Sequence, residues 1–313
     1  MKLTVLVDNN TLIDQYYLAE PAVSYWIEVD NKKILFDVGY SDIFIKNAKA
    51  LGIDLKETDY LVLSHGHLDH TWGIEPFIKL VGDKTKNIRL IAHPDVFDRK
   101  FHPELGDIGT RKRKNEIKEY FDLDLSKTPR WLTENLCFLG EIPRKNDFEA
   151  KTPIGKIIRN GRKLPDYLLD DSALVYKSKK GMILITGCSH SGICNILEYG
   201  KKICRERKIL DVVGGFHLLN TKKEILDETI KYIKSQGIQK LHPCHCTDLK
   251  AKIELGKFFP IREVGSGLVL EYKETSESFI IITGLGGSTT PQTTLQQHLY
   301  FMLQEQNAND KMC

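Results

Sequence analysis

Short apolar runs and wider apolar stripes alternate along the first third of the chain, which is typical of mixed strands and helices. The pair Asp30-Asn31 separates two of the short runs and predicts a β-hairpin. An apolar stripe at helical spacing begins after Ser41-Asp42 and ends at Gly52, which predicts a helix. The predicted strands are 1–8, 23–29, 33–36, 60–63 and 89–92, and the predicted helices are 43–51 and 75–81.

The same alternation returns in the second half of the chain. Strands are predicted at 172–176, 182–186, 210–213, 240–242 and 267–272, with helices at 193–205 and 222–235. Strands in both halves, with helices throughout, predict two β-sheets packed together with helices outside them.

Two stretches depart from this pattern. Between 98 and 165 the periodicity loosens, which predicts an insertion that carries helices and a hairpin and could act as a lid. From 274 to 313 the chain becomes linker-like and rich in Gln and Asn, so we expect a peripheral tail beyond a main domain of 1–273.

Composition excludes several classes of protein. The 313 residues include 45 basic and 42 acidic side chains, a formal charge of +3, which argues against a nucleic-acid partner. No apolar run approaches the roughly 18–20 residues that span a bilayer, and the first residues lack the pattern of a secretory signal. Seven scattered cysteines, an odd number, favour reduced thiols and a cytoplasmic location. The sequence leaves open whether the protein forms a homodimer.

The richest chemistry follows the predicted strand 60–63. His65, His67, Asp69 and His70 lie within six positions, and imidazole and carboxylate are ligands that Zn²⁺ accepts. His65 and His67 flank Gly66, so a tight turn can direct both rings at one ion. Asp69 and His70 are adjacent and must diverge, which suits a second ion about 3.5–4 Å from the first. The alternative is a polar turn with solvated histidines.

This H-x-H-x-D-H motif resembles that of the metallo-β-lactamase superfamily, and 33–39 resembles its early strand ending in Asp and Gly. The resemblance implies an α+β fold, an αββα sandwich with a lid-like insertion. It also implies two divalent ions, with Zn²⁺ preferred and Mn²⁺, Fe²⁺ or Mg²⁺ as alternatives. Trp72 stands where the motif commonly continues with glycine, and we expect it to narrow or line the mouth of the pocket.

The remaining ligands are expected at the ends of later strands. Strand 182–186 is followed by Gly187, Cys188 and His190, and Cys188 stands where the superfamily usually has a bridging Asp. We predict His190 as a ligand and leave Cys188 open. His245 resembles the superfamily's final ligand, although Cys244 and Cys246 beside it also allow a structural zinc site. The predicted sets are His65, His67 and His190 for one ion and Asp69, His70 and His245 for the other.

Other polar residues are candidates for handling protons or substrate. His217 follows an apolar strand and two glycines, so it is either catalytic, together with Asp69, or structural. Asp171 precedes the strand that leads to His190 and could contact metal or substrate. The basic run 111–114 is either a solvated helix face or an anion site, and arginine's planar fork suits phosphate. The predicted substrate-binding residues are Arg111, Arg113, Arg144, Trp72 and Asp171.

Secondary motifs narrow the resemblance. The segments 187–192, 214–218, 243–247 and 140–144 together resemble the superfamily branch that includes the archaeal dihydropterin–aminobenzene ribofuranosyl phosphate synthase of methanopterin biosynthesis. We therefore expect a metal-dependent hydrolase acting on a small anionic, phosphorylated molecule. The first alternative is a pterin-type transferase that forms a carbon–nitrogen bond and releases diphosphate. The second is a non-catalytic metal-binding protein.

Overall fold

The computed structural model describes residues 1–159 and 161–273, and the backbone of 281–283. The strands are β1 (Lys2–Val7), β2 (Ser24–Val29), β3 (Lys32–Phe36), β4 (Tyr60–Val62), β5 (Arg89–Ala92), β6 (Arg99–His102), β7 (Gly106–Asp107), β8 (Asp122–Leu125), β9 (Arg130–Trp131), β10 (Leu136–Phe138), β11 (Lys156–Arg159), β12 (Arg162–Pro165), β13 (Ala173–Ser178), β14 (Gly181–Thr186), β15 (Ile209–Gly215), β16 (Lys240–Cys244), β17 (Leu268–Glu271) and β18 (Ile281–Thr283). The α-helices are α1 (Ile43–Ala50), α2 (Leu68–Thr71), α3 (Ile74–Val81), α4 (Lys114–Ile117), α5 (Ile193–Cys204), α6 (Lys223–Ser235) and α7 (Leu249–Gly256), and 3-10 helices occupy Leu55–Glu57, Gly82–Asn87 and Pro94–Phe97.

Two sheets form the centre of the molecule. The first has the strand order β18-β17-β1-β2-β3-β4-β5-β8, and the second has the order β16-β15-β14-β13-β10-β9. Inward-facing residues of both sheets, such as Phe36 and Ile185, share one apolar core. The outer face of the first sheet packs on α1, α3 and α4, and that of the second packs on α5, α6 and α7. The predicted αββα sandwich is confirmed.

The predicted hairpin joins β2 to β3. Asp30 and Asn31 have positive φ angles of 50° and 59°, and Val29 pairs with Lys32 across the turn. Two central residues with positive φ make the type I′ turn that matches the twist of paired strands. Asp and Asn therefore suit these two positions for two reasons: they tolerate positive φ angles, and they are polar where the turn meets solvent.

Parallel strands determine where the polar loops meet. Strands β3, β4 and β5 run parallel in the first sheet, and β14, β15 and β16 run parallel in the second. Side chains that follow parallel strands are collected at one edge of a sheet, because all the carboxyl ends lie there. The segments after β4, β14 and β16 carry the candidate ligands.

The predicted insertion at 98–165 is only partly separate from the sandwich. β8 pairs with β5 in the first sheet, and β10 pairs with β13 in the second. Within the described residues of this stretch, β6, β7, β11 and β12 form a sheet of their own. Leu136 and Phe138 enter the core between the sheets while Cys137 faces the outer layer. This alternation covers three residues, too short a pattern to identify a strand from sequence.

The first sheet continues past the boundary predicted at 273. β17 pairs antiparallel with β18, so Ile281–Thr283 adds one strand to the sheet. The rest of the predicted tail, 274–280 and 284–313, lies outside the described residues. Among the described residues, no helix combines the length and hydrophobicity needed to cross a membrane.

Candidate metal centre

Three buried histidines face one another at the edge of the sandwich. His65 and His67 follow β4, and His190 follows β14. The ring centroids of His65 and His67 are 4.7 Å apart, and those of His65 and His190 are 4.6 Å apart. The Nε2 atoms of His65 and His190 are separated by 3.1 Å. Convergent ring nitrogens at this spacing can ligate one cation.

Burial keeps these three rings in the form that binds a metal. It lowers the pKa of His67 to about 3, and it also lowers the pKa of His65 and His190 well below the usual range. Neutral imidazole is the ligand form of histidine, so the rings need not lose a proton before binding an ion at neutral pH.

A second group of donors lies beside the first. Cys188 Sγ is 3.2 Å from His70 Nε2 and 3.1 Å from His245 Nε2. Asp69 Oδ2 is 3.3 Å from His245 Nε2 and 3.6 Å from His70 Nε2. Burial lowers the pKa of His70, but the carboxylates of Asp69 and Asp37 outweigh it and raise the pKa to about 9. This surplus of negative charge favours a cation within the group.

Buried hydrogen bonds orient the second group. Asp37 Oδ2 lies 2.7 Å from His70 Nδ1, and the carboxylate of Asp37 also accepts hydrogen bonds from the backbone N–H and the hydroxyl of Ser64. His245 has a φ angle of 50°, and its backbone N–H donates to Asp8. Carboxylates behind a ligating histidine hold its ring orientation and raise its basicity.

The turn between His65 and His67 is held from a separate part of the fold. The backbone N–H of Gly66 donates to Asp170 Oδ2 at 2.8 Å. A Cβ atom at Gly66 would lie 2.3 Å from the carbonyl oxygen of Val96, so a larger residue does not fit. The sharp turn that the sequence predicted therefore depends on glycine for close approach to the backbone.

These residues fit divalent ions. The ligand atoms of His65, His67 and His190 lie within 4.8 Å of one another, and so do those of the second group. Within the described chain, His67 Nε2 and His190 Nδ1 are buried and have no hydrogen-bond partner. A buried polar atom without a partner is costly, and a metal ion nearby would remove the cost for His67 Nε2. The two donor groups could hold one ion each.

The structure thus brings together all six predicted ligands in the two predicted sets and adds Cys188 to the second. β16 ends at Cys244, because the positive φ of His245 turns the chain. Cys244 faces inward to the hydroxyl of Tyr25, so among the described residues it does not form a structural zinc site with Cys246. Cys246 contacts His217, whose backbone N–H donates to its sulfur at 3.3 Å.

A cavity of about 1110 Å³ opens above both groups. Its lining includes His67, Asp69, His190 and His245, together with His217. The ring of His217 lies 4.3 Å from that of His190, and within the described residues its Nδ1 is buried with no hydrogen-bond partner. His217 is therefore placed where a proton could be exchanged with a bound molecule.

The structure does not place the predicted anion-binding arginines in this cavity. The guanidinium of Arg111 stacks 3.8 Å above Trp72, and that of Arg113 donates to the carbonyl of Thr110. Arg144 donates to the backbone carbonyls of Tyr167, Leu168 and Ala150. Each guanidinium contacts a neighbouring group, and none of the three lines the cavity.

Trp72 and Asp171 also lie away from the cavity lining. The indole of Trp72 donates to the carbonyl of Gly109 and stacks on Tyr40, so it anchors the loop beyond α2 and does not narrow the mouth. Asp171 accepts the backbone N–H of Ser191, and burial raises its pKa to about 6. Its carboxylate holds the loop that carries His190.

Several residues at the site were missed from the sequence. Asp37 was noted only as part of a strand motif. The side-chain oxygen of Asn9 lies 3.0 Å from His245 Nδ1, but no sequence pattern marked Asn9 as a site residue. Lys100 and Asp170 form a buried pair across elements far apart in the chain. An aspartate directly after an apolar strand was a usable signal for Asp37, whereas the others are identified only by tertiary contacts.

The sandwich and its paired donor groups define the class of this protein. It belongs to the metallo-β-lactamase superfamily, whose family model matches residues 18–144. The chain is 36% identical to an uncharacterised protein of Methanocaldococcus jannaschii, over 82% of this chain and 94% of the relative. It is 34% identical to the 7,8-dihydropterin-6-methyl-4-(β-D-ribofuranosyl)-aminobenzene-5'-phosphate synthase of the same organism, over 80% of this chain and 89% of the relative.

A solved structure gives the same result. The crystal structure of a metal-dependent hydrolase of the β-lactamase superfamily matches with a TM-score of 0.74 and 32% identity, over 87% of this chain and 99% of that chain. The superfamily resemblance seen in the sequence is thereby confirmed. The relatives comprise both a hydrolase and a synthase, so membership alone does not select the reaction.

Proposed function

We propose that this protein is a metal-dependent hydrolase that acts on a small anionic molecule, with a phosphorylated compound as the expected substrate. One observation carries the proposal. Two adjacent groups of donors lie at the base of one open cavity, so a bound molecule can reach both. A purely structural ion is instead closed to ligands from outside, whereas donors of both groups line this cavity.

The residues of this chain would divide the work. His65, His67 and His190 would hold one ion, and Asp69, His70, Cys188 and His245 would hold the other. When bound, such ions act as Lewis acids and activate water for attack at neutral pH. His217 lines the cavity beside His190 and would accept or donate the proton exchanged with the substrate. Asp69 was predicted to be catalytic, but it belongs to the second donor group. We therefore propose that it holds the ion in position and does not itself exchange a proton with the substrate.

Labelled water tests the reaction. The metal-loaded protein would be incubated with a panel of phosphomonoesters, phosphodiesters and diphosphates in oxygen-18 water. Incorporation of one label per bond cleaved supports hydrolysis. His217→Gln should lower kcat while metal content stays unchanged, since His217 lies outside both donor groups. Turnover that releases phosphate without label in any product contradicts a hydrolase.

A second candidate is a transferase that forms a carbon–nitrogen bond and releases diphosphate. The relative named as a synthase, 34% identical over most of both chains, favours it. Both reactions bring anionic oxygen to the metals, so the donor set supports either. Release of diphosphate from a pterin diphosphate that depends on an added arylamine, without label in the organic product, supports transfer. Release without the amine supports hydrolysis.

The proposed partner is a small molecule, and the proposed compartment is the cytoplasm. The described cysteines Cys137, Cys188, Cys194, Cys204, Cys244 and Cys246 all carry free thiols. Reduced thiols persist in a reducing compartment, which supports this location.

A further inference from the structure

The wall of the cavity formed by α7 and the segment 261–264 carries two basic side chains, Lys252 and Arg262. We propose that these two residues form an anion subsite, and that the cavity takes an elongated molecule with an apolar body and an oxyanion, such as phosphate, at its far end. The inference deepens the proposed function, because the reacting end of that molecule would lie at the donor groups.

The apolar part of the inference rests on the lining. Leu68, Ile108 and Ile154 line the cavity, and Leu105, Leu219 and Leu249 line it while being 73%, 58% and 73% exposed. Large apolar side chains left exposed around one opening indicate a surface that is covered by a ligand. At about 1110 Å³ the cavity is also larger than inorganic phosphate requires.

The anionic part rests on two cations that have no ion-pair partner among the described residues. Within the described residues, neither Lys252 nor Arg262 forms an ion pair or a side-chain hydrogen bond. The arginines predicted from the sequence differ in this respect, since Arg111, Arg113 and Arg144 are all engaged elsewhere. The two cavity cations are therefore the ones left to meet an anion.

The backbone of both cationic residues is held by hydrogen bonds. Lys252 is half-buried in α7, and its backbone N–H donates to the carbonyl of Asp248. The backbone N–H of Arg262 donates to the carbonyl of Leu241 in β16, 2.9 Å away. A subsite on anchored elements loses less entropy when it binds than one on a loose loop.

Two acidic residues share the same wall and must be counted. The carboxylate of Asp248 accepts the backbone N–H groups of Ala251 and Asn220 as the cap of α7, so it is already engaged. Glu263 is exposed and follows Arg262 in the chain. The formal charges of this wall therefore balance, but within the described residues neither carboxylate forms an ion pair with Lys252 or Arg262, so both cationic groups are available to an anion.

Two fluorescent probes test the subsite without requiring catalysis. 1-Anilinonaphthalene-8-sulfonate has an apolar body and one oxyanion, and N-phenyl-1-naphthylamine has nearly the same body without the anion. Binding to the full-length metal-loaded protein would be measured for the parent and for the double variant K252A/R262A. We expect the variant to bind the sulfonate at least about tenfold more weakly, a difference of about 1.4 kcal/mol, and the neutral probe as well as before.

The matched control is K250A/K257A, which removes two positive charges at α7 from residues outside the cavity lining. It should bind both probes like the parent protein. A second variant, L105A/L219A, should weaken both probes, because the body of each would lie against these side chains.

Three results would overturn the proposal. They are unchanged sulfonate affinity in K252A/R262A, an equal loss in K250A/K257A, and an equal loss of both probes in K252A/R262A. Unchanged binding of both probes to L105A/L219A would overturn the apolar part. Because probe binding does not depend on turnover, these failures leave the proposed hydrolysis standing, and failure of the labelling experiment leaves the subsite standing.

Discussion

Lys100 Nζ lies 2.8 Å from Asp170 Oδ1, and both side chains are almost completely removed from solvent. The other oxygen of Asp170 accepts the backbone N–H of Gly66, between two of the candidate ligands. Lys100 also contacts Asp166 at 2.9 Å. Burial lowers the pKa of Lys100, but the two carboxylates outweigh it and raise the pKa, so the ammonium stays charged. A buried ion pair thus connects the small third sheet with the turn that carries His65 and His67.

Removing that charge should damage both the fold and the metal centre. Lys100→Met leaves two buried carboxylates unpaired, which we expect to cost about 3–5 kcal/mol of unfolding free energy. Urea denaturation measures that loss, and metal affinity should fall with it, because Asp170, which anchors Gly66, loses the lysine that holds it in place. The control is Lys163→Met, which replaces an exposed lysine of the same small sheet. Equal effects of the two changes would contradict a specific role for Lys100.

The two donor groups should lose metal independently. His67→Ala removes one ligand from the first group, and we expect the bound metal to fall by about one ion per chain, since a site of three ligands seldom survives as two. Elemental analysis after gel filtration measures the content. His102→Ala is the control, because His102 lines the cavity but belongs to neither group. Unchanged metal content in His67→Ala would remove His67 from the ligand set.

Cys188 should give a spectroscopic signal. Its sulfur lies within 3.2 Å of two candidate ligand nitrogens, and thiolate is a soft ligand that gives charge-transfer absorption with Co²⁺. We expect the cobalt-substituted protein to show that absorption, and Cys188→Ser to lose it. Cys244→Ser is the control, since Cys244 faces Tyr25 away from the donor groups. Persistence of the band in Cys188→Ser would show that another sulfur supplies it.

With thiolate replacing the usual bridging carboxylate, we also expect the second ion to be held more weakly than the first. Isothermal titration calorimetry of the metal-free protein with Zn²⁺ measures both affinities, because the two sites should fill in two steps. In Cys188→Asp the two affinities should move closer together. Equal affinities in the parent protein would contradict the assignment of the weaker site to the second group.

Glu149 should affect stability in a pH-dependent way. Its carboxylate accepts the backbone N–H groups of Cys194 and Asn195 at the start of α5, and burial raises its pKa above the usual range. A carboxyl whose pKa is raised on folding contributes stability that is present below its unfolded pKa and is lost as the pH rises through its folded pKa. The advantage of the parent over Glu149→Gln should therefore shrink as the pH rises from 4 towards neutrality, by about 1.4 kcal/mol per unit of pKa difference.

Urea denaturation of both proteins at several pH values gives this difference directly. Glu224→Gln is the control, because Glu224 lies in the first turn of α6 and is exposed. A parent advantage that grows with pH would mean that the hydrogen bonds to the ionised carboxylate outweigh its burial.

Local patterns in the chain were enough to predict most of the sandwich and six of the seven residues that meet in the two donor groups. These patterns are short-range features of the sequence: apolar strands of ordinary length, the Asp30-Asn31 turn and the clustered imidazoles. Each can be recognised without knowing which distant residues pack against it. The ligands also follow strands directly, so their meeting point could be inferred from parallel strand order. The strands of the 98–165 stretch were missed because some are two or three residues long.

Tertiary structure alone decided what surrounds those ligands. Lys100, Asp170 and Asn9 come from distant parts of the chain, and only the packing of the third sheet and the first strand brings them to the centre. It also decided which cations face the cavity, because the sequence does not show which side chain a basic residue will contact after folding. Arg111 is engaged by Trp72, whereas Lys252 stands unpaired on the cavity wall, within the part of the chain that is described. Charge is a property of the residue, but its availability to a ligand depends on the neighbours that folding supplies.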